Sequence, residues 1–189
     1  NKEADQPIVL FFKGVEEALS VIHYYHENKL FLSSLGIIKC DQKYEENRIK
    51  LMWFLSQVAQ LAALIMEYRY HLLTIQSLKW RISRLESTKQ NTEQKKESHY
   101  QVSSSPPPPT TFSLEILQEQ LIKKEALNPY YTIQLVKCSM NVLVSGSNAR
   151  IFGDYFQFPD SISNFFGLTA TTITIVEGFL ENTPNNQEK

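Results

Sequence analysis

Apolar side chains recur at intervals of three and four residues through most of this chain. The first such stretch runs from Pro7 to Ile38 and reads PIVLFFKGVEEALSVIHYYHENKLFLSSLGII. This spacing predicts a helix, because residues three and four apart share one helical face. Pro7 suits the first helical turn, and Gly36 suits a C-cap or a bend. A polar connector, Lys39 to Arg48, is predicted to turn into a second helix.

The second stretch, Arg48 to Glu86, is the strongest helix prediction because it contains neither glycine nor proline. Residues 51–66 carry no charge, and beyond them leucines and isoleucines alternate with basic residues in an amphipathic pattern. As one helix this stretch would be about 60 Å long at ~1.5 Å per residue. That is longer than a small globular domain needs.

Polar composition marks a linker at residues 87–111, where a charge run is followed by serines and prolines. Such a segment cannot bury enough apolar surface to offset the entropy lost on ordering, so it is predicted to be disordered. The linker divides a helical region, 1–86, from a C-terminal helical region, 112–180, and residues 181–189 form a second disordered segment. Within the C-terminal region, helix is predicted to about Val144, after which the sequence SGSN loosens the chain.

Two segments, 51–66 and 161–176, are each sixteen residues long and free of charge. A membrane-spanning helix needs about 20 apolar residues, so both fall just short. Three interpretations remain open. The segments form the core of a soluble helical protein, or they enter a membrane as short spans or shallow insertions, or residues 169–176, rich in threonine and isoleucine, form a strand.

Aromatic and basic residues border the first segment, as they do at a bilayer interface, and aromatic residues crowd the entry to the second. The candidates for membrane burial or helix contact are Trp53, Phe54, Leu55, Leu61, Leu64, Phe165, Phe166, Gly167, Ala170 and Ile173. The candidates for binding lipid headgroups are Arg69, Lys79, Arg81 and Arg84. Basic side chains near a membrane attract anionic headgroups, although a plain solvated helix face fits the same residues.

Charge and candidate chemistry add little to this picture. The net charge of −1 gives no field that would attract nucleic acid. Two cysteines, Cys40 and Cys138, indicate reduced thiols rather than a disulfide framework. His23 and His26 are one turn apart, but little near them would complete a metal site. No catalytic, metal-binding or cofactor-binding residues are therefore predicted, and the chain is not expected to be an enzyme.

Three sequence blocks, taken in order, resemble the peroxisomal biogenesis factor 11 family. They are ALSVIHYYHENKLFLSSLGII from Ala18, WFLSQVAQLAALIMEYRY from Trp53, and LVKCSMNVLVSGSNARIFGDYFQFPDSISNFFGLTATTITI from Leu135. The blocks cover most of the chain between Ala18 and Ile175 and are similar to the C-terminal part of that family. One departure is Asn141, where the family usually carries an acidic residue.

The resemblance implies a non-enzymatic protein of the peroxisomal membrane, with an all-α fold and no cofactor. Members of that family elongate and remodel the membrane, self-associate, and help recruit the division machinery, including dynamin-like GTPases. The expected structure is a membrane-associated helical bundle with long amphipathic helices and a disordered linker. The expected partners are membrane lipids and further copies of the chain. A peroxisomal pore that passes solutes and a soluble helical adaptor are the alternatives.

The first prediction concerns Gly167, because glycine permits close approach of two helices. Gly167→Leu should weaken self-association more than Leu168→Ile, which conserves side-chain volume. Chemical crosslinking of the two variants measures the difference, and equal crosslinking would contradict a contact face at Gly167.

Overall fold

The chain is helical wherever its structure is described. The computed structural model describes residues 6–97, 110–151 and 158–181. The helices are α1 (Gln6–Ser34), α2 (Gln42–Glu97), α3 (Thr110–Glu125), α4 (Asn128–Asn148) and α5 (Asp160–Glu181). The described residues contain no strand, which confirms the all-α class.

The strand interpretation of residues 169–176 is wrong, because they lie within α5. The threonines of α5 satisfy their hydroxyl groups on the helix itself. Thr169 Oγ1 donates to the Phe165 carbonyl at 2.8 Å, and Thr172 Oγ1 donates to the Leu168 carbonyl at 2.8 Å. These hydroxyl groups therefore need no hydrogen-bond partner outside the helix.

Helix α2 extends to Glu97, so residues 87–97 of the predicted linker are helical. No glycine or proline interrupts residues 87–97, and extending an existing helix requires no new nucleation. Ser87 and Thr88 donate hydrogen bonds to the carbonyls of Ser83 and Arg84, four residues back. Helix α3 begins at Thr110, inside the other end of the predicted linker. Residues 98–109 of the predicted linker lie outside the described residues. Of the predicted C-terminal segment, 181–189, Glu181 ends α5 and residues 182–189 lie outside the described residues.

Helices α1 and α4 end in the same hydrogen-bonding motif. After α1, Gly36 has φ of +74°, and the Ile37 amide donates to the Leu32 carbonyl at 3.1 Å. After α4, Arg150 has φ of +54°, and the Ile151 amide donates to the Gly146 carbonyl at 3.2 Å. Both are Schellman caps, in which one residue adopts the left-handed conformation.

The segment Ser145–Asn148 does not loosen the chain as predicted, because it forms the last turn of α4. Ser145 is completely buried, and its hydroxyl donates to the Val142 carbonyl at 3.1 Å. The hydroxyl of Ser147 accepts the Phe158 amide at 3.0 Å, which ties the end of α4 to the start of α5. Small serine and glycine side chains permit this burial, although their composition alone is typical of loops.

The chain forms two compact units. Unit 1 comprises residues 1–67 and 131–189, and unit 2 comprises residues 68–130. In unit 1, α1 runs antiparallel to the first part of α2: Lys13 pairs with Glu67, and Lys29 pairs with Glu45. In unit 2, Lys79 in the second part of α2 pairs with Glu125 in α3.

The two caps generate opposite predictions for the free energy of unfolding. A non-glycine residue in the left-handed conformation costs about 1–2 kcal/mol. Gly36→Ala should therefore destabilise the protein by about 1 kcal/mol. Arg150→Gly should stabilise it by a similar or slightly smaller amount, because glycine also adds entropy to the unfolded chain. Thermal or denaturant unfolding of both variants measures these changes, and two shifts of the same sign would contradict the assignment of the caps.

Candidate membrane-facing surface

The interior of unit 1 is built from small and polar side chains. Its buried residues are Glu45, Ser56, Ala59, Ala63, Cys138, Val144, Ser145, Gly146, Ser147 and Ala170. A core of a water-soluble domain is usually dominated by leucine, isoleucine, valine and phenylalanine. Val144 is the only one of these types in this buried set.

Large apolar side chains lie on the outside of unit 1 instead. On α1 and α5, eight of them are at least 60% exposed: Leu10, Phe11, Val21, Tyr24, Tyr25, Phe31, Phe165 and Leu168. Single exposed apolar side chains are ordinary on soluble proteins, whereas contiguous ones mark surfaces that contact other molecules or lipid. We call the outward apolar side chains of α1, α5 and the first part of α2 the apolar surface of unit 1.

Polar contacts join α1 to α2 at successive levels along the two helices. Lys13 Nζ lies 2.5 Å from Glu67 Oε1, and the hydroxyls of Ser20 and Ser56 lie 3.1 Å apart. Further along, His23 Nδ1 lies 3.1 Å from the Ile49 carbonyl oxygen, which can only accept a hydrogen bond. We call this series of contacts the polar seam.

The seam ends at Glu45, whose side chain is 2% exposed. One carboxylate oxygen accepts a hydrogen bond from Lys29 Nζ at 2.5 Å, and the other accepts one from His26 Nδ1 at 2.5 Å. The hydrogen bond from Lys29 is the main reason why the pKa of Glu45 lies below its ordinary value, and the bond from His26 adds to this effect. The same contact raises the pKa of Lys29. Both groups are therefore charged at neutral pH.

In unit 2, large apolar side chains fill most of the buried positions of α2. Its buried side chains on α2 are His71, Ile75, Leu78 and Ile82, spaced by four, three and four residues. This is the usual apolar seam of an amphipathic helix. The outward positions of the same helix include Lys79, which is 57% exposed and pairs with Glu125 at 2.7 Å.

The predicted membrane residues divide according to their exposure. Leu55 and Phe165 are exposed and belong to the apolar surface, whereas Ala170 is 5% exposed and packs inside unit 1. The others are half-buried: Trp53, Phe54, Leu61, Leu64, Phe166, Gly167 and Ile173. A methyl group placed on Gly167 would meet no atom within 4 Å. Gly167 therefore supports no close helix contact within the described chain, and the predicted contact would have to involve another molecule.

The predicted headgroup residues lie on the exposed side of α2, and one of them contacts an exposed tryptophan. Arg69, Lys79, Arg81 and Arg84 are all exposed. The guanidinium of Arg84 lies 5.3 Å from the centre of the Trp80 ring. Trp80 is 62% exposed, and sequence analysis did not select it. The signal in the sequence is its spacing: Trp80 is two residues from both Leu78 and Ile82, which places it on the opposite side of α2 from these buried residues.

Helix α2 also passes a test for a membrane span by length and composition. Within Gln42–Gln90 an 18-residue window has a mean hydropathy of 1.5, and 17% of that window is buried. It is the one such helix among the described residues. Length and composition alone do not separate a span from a helix of a soluble protein, since a soluble core helix passes the same test.

His23 bonds to the carbonyl of Ile49, and His26 bonds to the carboxylate of Glu45. The described residues contain no group of three or more His, Cys, Asp or Glu side chains placed to hold a metal ion.

No protein-family description, curated protein or solved structure matches the chain. The resemblance to the peroxisomal family therefore stays a prediction.

A prediction follows from the two donors that converge on Glu45. Glu45→Gln leaves the ammonium group of Lys29 without its carboxylate partner in the seam, and we expect the thermal midpoint to fall by several degrees. Glu46→Gln, at the neighbouring exposed position, is the matched control and should leave the midpoint almost unchanged. An equal fall in both variants would contradict the role of the buried carboxylate.

The same pair predicts how stability depends on pH. The lowered pKa of Glu45 means that its contribution is present above its ordinary value of 4.5 and is lost as pH falls through the folded-state pKa. The raised pKa of Lys29 means that its contribution is present below 10.5 and is lost as pH rises further. Between these limits both groups are charged, so Glu45→Gln should lower the stability throughout this range, which unfolding at several pH values measures. A Glu45→Gln variant as stable as the unaltered chain near neutral pH would contradict the charged pair.

Proposed function

We propose that this chain is a peroxisomal membrane protein that remodels and elongates the membrane and promotes proliferation and division of the organelle. It acts by inserting into the bilayer and by self-association, without enzymatic activity. Its partners are the membrane lipids, further copies of the chain and the fission machinery, including a dynamin-like GTPase. Support for insertion comes from the structure, whereas the organelle and the process rest on the resemblance of the three sequence blocks.

The observation that carries the proposal is the exposed position of large apolar side chains in unit 1 while small and polar ones fill its interior. Fully burying a leucine or phenylalanine is worth about 1.5–3 kcal/mol in water. Eight such side chains left mostly exposed would forgo on the order of 10 kcal/mol, which is comparable to the whole stability of a typical domain. In lipid this cost vanishes, because the acyl chains are as apolar as the side chains themselves.

The polar seam is suited to the same environment. The hydrophobic effect gives helices little reason to associate in a bilayer, so close packing at small residues and interhelical hydrogen bonds hold them together. In unit 1 the pair of Ser20 and Ser56 and the small buried residues Ala59 and Ala63 supply contacts of both kinds.

The charge-free segments connect insertion to a change in membrane shape. Sixteen helical residues, as in 51–66, extend about 24 Å, which is shorter than the ~30 Å hydrocarbon core. Such a segment fits a shallow insertion better than a complete span. A wedge that enters one leaflet expands that leaflet and bends the bilayer, and self-association concentrates many wedges in one region.

The exposed position Val58 offers a test of the environment. Val58 is 39% exposed, so replacement with lysine in water should change stability by less than about 0.5 kcal/mol. A lysine costs about 2.5–3.5 kcal/mol at the centre of a bilayer, and the cost decreases towards the headgroups. We expect Val58→Lys to release the protein from membranes on alkaline carbonate extraction. Ser77→Lys, at an exposed position of unit 2, is the control and should stay membrane-bound. Full retention of the Val58 variant would contradict lipid contact at this position.

The proposed process is tested by live imaging of the full-length protein, tagged and overexpressed beside a peroxisomal matrix marker. Co-localisation with elongated or more numerous peroxisomes is the expected result. A diffuse cytosolic signal with unchanged organelles would contradict the proposal, and so would recovery of the chain as a soluble monomer without detergent.

A further inference from the structure

We infer that unit 2 carries a binding surface for anionic lipid headgroups on the outward face of α2, with Trp80 as its central anchor. The surface consists of Arg69, Leu73, Trp80 and Arg84. The inference deepens the proposed function and rests on it, since it assumes that a membrane lies within reach of the chain.

The four residues share one face of the helix. At about 100° per residue they fall within roughly 60° of one another, and they extend over about 22 Å of the helix axis. The buried residues Leu78 and Ile82 lie about 160° away from Trp80 around the helix. The outward face is therefore separate from the apolar seam that closes unit 2.

The face combines exposed apolar surface with positive charge. Trp80 is 62% exposed and Leu73 is 47% exposed, although both side chains are large and apolar. The Arg84 guanidinium over the Trp80 ring makes a cation–π contact at 5.3 Å and keeps a positive charge at the ring. Tryptophan prefers the boundary between headgroups and acyl chains, because its ring is apolar and its indole N–H is polar.

The positive charge of this part of α2 indicates that its partner is anionic. Between Tyr68 and Leu85 the sequence contains four basic residues and no acidic residue. Lys79 is paired with Glu125 at 2.7 Å, and among the described residues no ion pair involves Arg69, Arg81 or Arg84. The sequence alone does not distinguish these four cations. In the structure the charge of Lys79 is neutralised by Glu125, whereas the three arginines can bind an anionic headgroup.

The shape of the face favours a bilayer over an acidic protein. The outward side of a single helix is convex, and its exposed apolar side chains project between the arginines. A convex strip of this kind can sink its tryptophan and leucine into a bilayer while the arginines bind phosphate groups at the same depth.

Flotation of the full chain with lipid vesicles tests the inference. The probes are phosphatidylcholine vesicles with and without phosphatidylserine at about one-quarter of the lipid. We expect tighter binding to the anionic vesicles, and roughly fivefold loss of that preference in Arg84→Gln, because one basic residue near such a surface contributes about that factor. Lys79→Gln removes the same charge from a paired residue and should change the preference by less than twofold.

Trp80 gives a second and independent signal. In a Trp53→Phe background Trp80 is the sole tryptophan. Its fluorescence should shift to shorter wavelength with anionic vesicles and stay unchanged with neutral ones. Trp80→Ala in the otherwise unaltered chain should reduce the anionic preference at least as much as Arg84→Gln. Circular dichroism of each variant shows whether its helices are retained.

The outcomes distinguish this inference from the proposed function. If the unaltered chain binds neutral and anionic vesicles equally, or if Arg84→Gln and Lys79→Gln have equal effects, the headgroup surface is refuted while insertion stands. An acidic protein then becomes the better occupant of this face. If the unaltered chain binds neither kind of vesicle, the proposed function and this inference both fail.

Discussion

Pairing of polar groups between α1 and α2 is the interaction on which unit 1 depends. Glu45 is buried where the two helices approach their connection, and it receives hydrogen bonds from Lys29 and His26. A buried carboxylate is unfavourable unless positive charge and hydrogen bonds compensate for the lost hydration. Together with the serine pair of Ser20 and Ser56, these contacts hold the helices in register and leave their large apolar side chains to face outward.

Part of the structure could be predicted from the sequence because it depends on local spacing and residue type. The helical class followed from spacing, and the cap at Gly36 followed from the residue type, because only glycine adopts a left-handed conformation without strain. The end of α4 could not be predicted in the same way. Its composition is typical of a loop, and its helical form depends on the burial of Ser145 and on the bond between Ser147 and Phe158.

The candidate surfaces were predictable only in part, because they depend on which side of each helix faces outward. Hydrophobicity identified residues 51–66, but it did not indicate which side chains face outward. It overlooked the apolar side of α1, because the charges of Lys13, Lys29 and the histidines mask that side in any average. The contacts show that Lys13, Lys29, His23 and His26 all bond to α2. Trp80 was missed because its significance depends on its angular position relative to the buried seam of unit 2.

The buried side chains of the two units differ in polarity, and this difference supports the proposed membrane remodelling. Unit 1 has a polar interior and exposed apolar side chains, which suits acyl chains. In unit 2, α2 has an apolar buried seam and an outward face that combines arginines with exposed Leu73 and Trp80, which suits the boundary between acyl chains and water. A protein with both characters can wedge a leaflet and bind its headgroups, and neither step requires a catalytic group.

The most direct test of the central claim is the accessibility of spin labels along the first part of α2 in reconstituted vesicles. Single labels at Leu55, Val58 and Ile65 should be accessible to apolar oxygen and protected from a water-soluble nickel complex. A label at Ser77 should show the reverse. Equal access of the nickel complex to all four positions would show that the apolar surface of unit 1 faces water, and would contradict the membrane account.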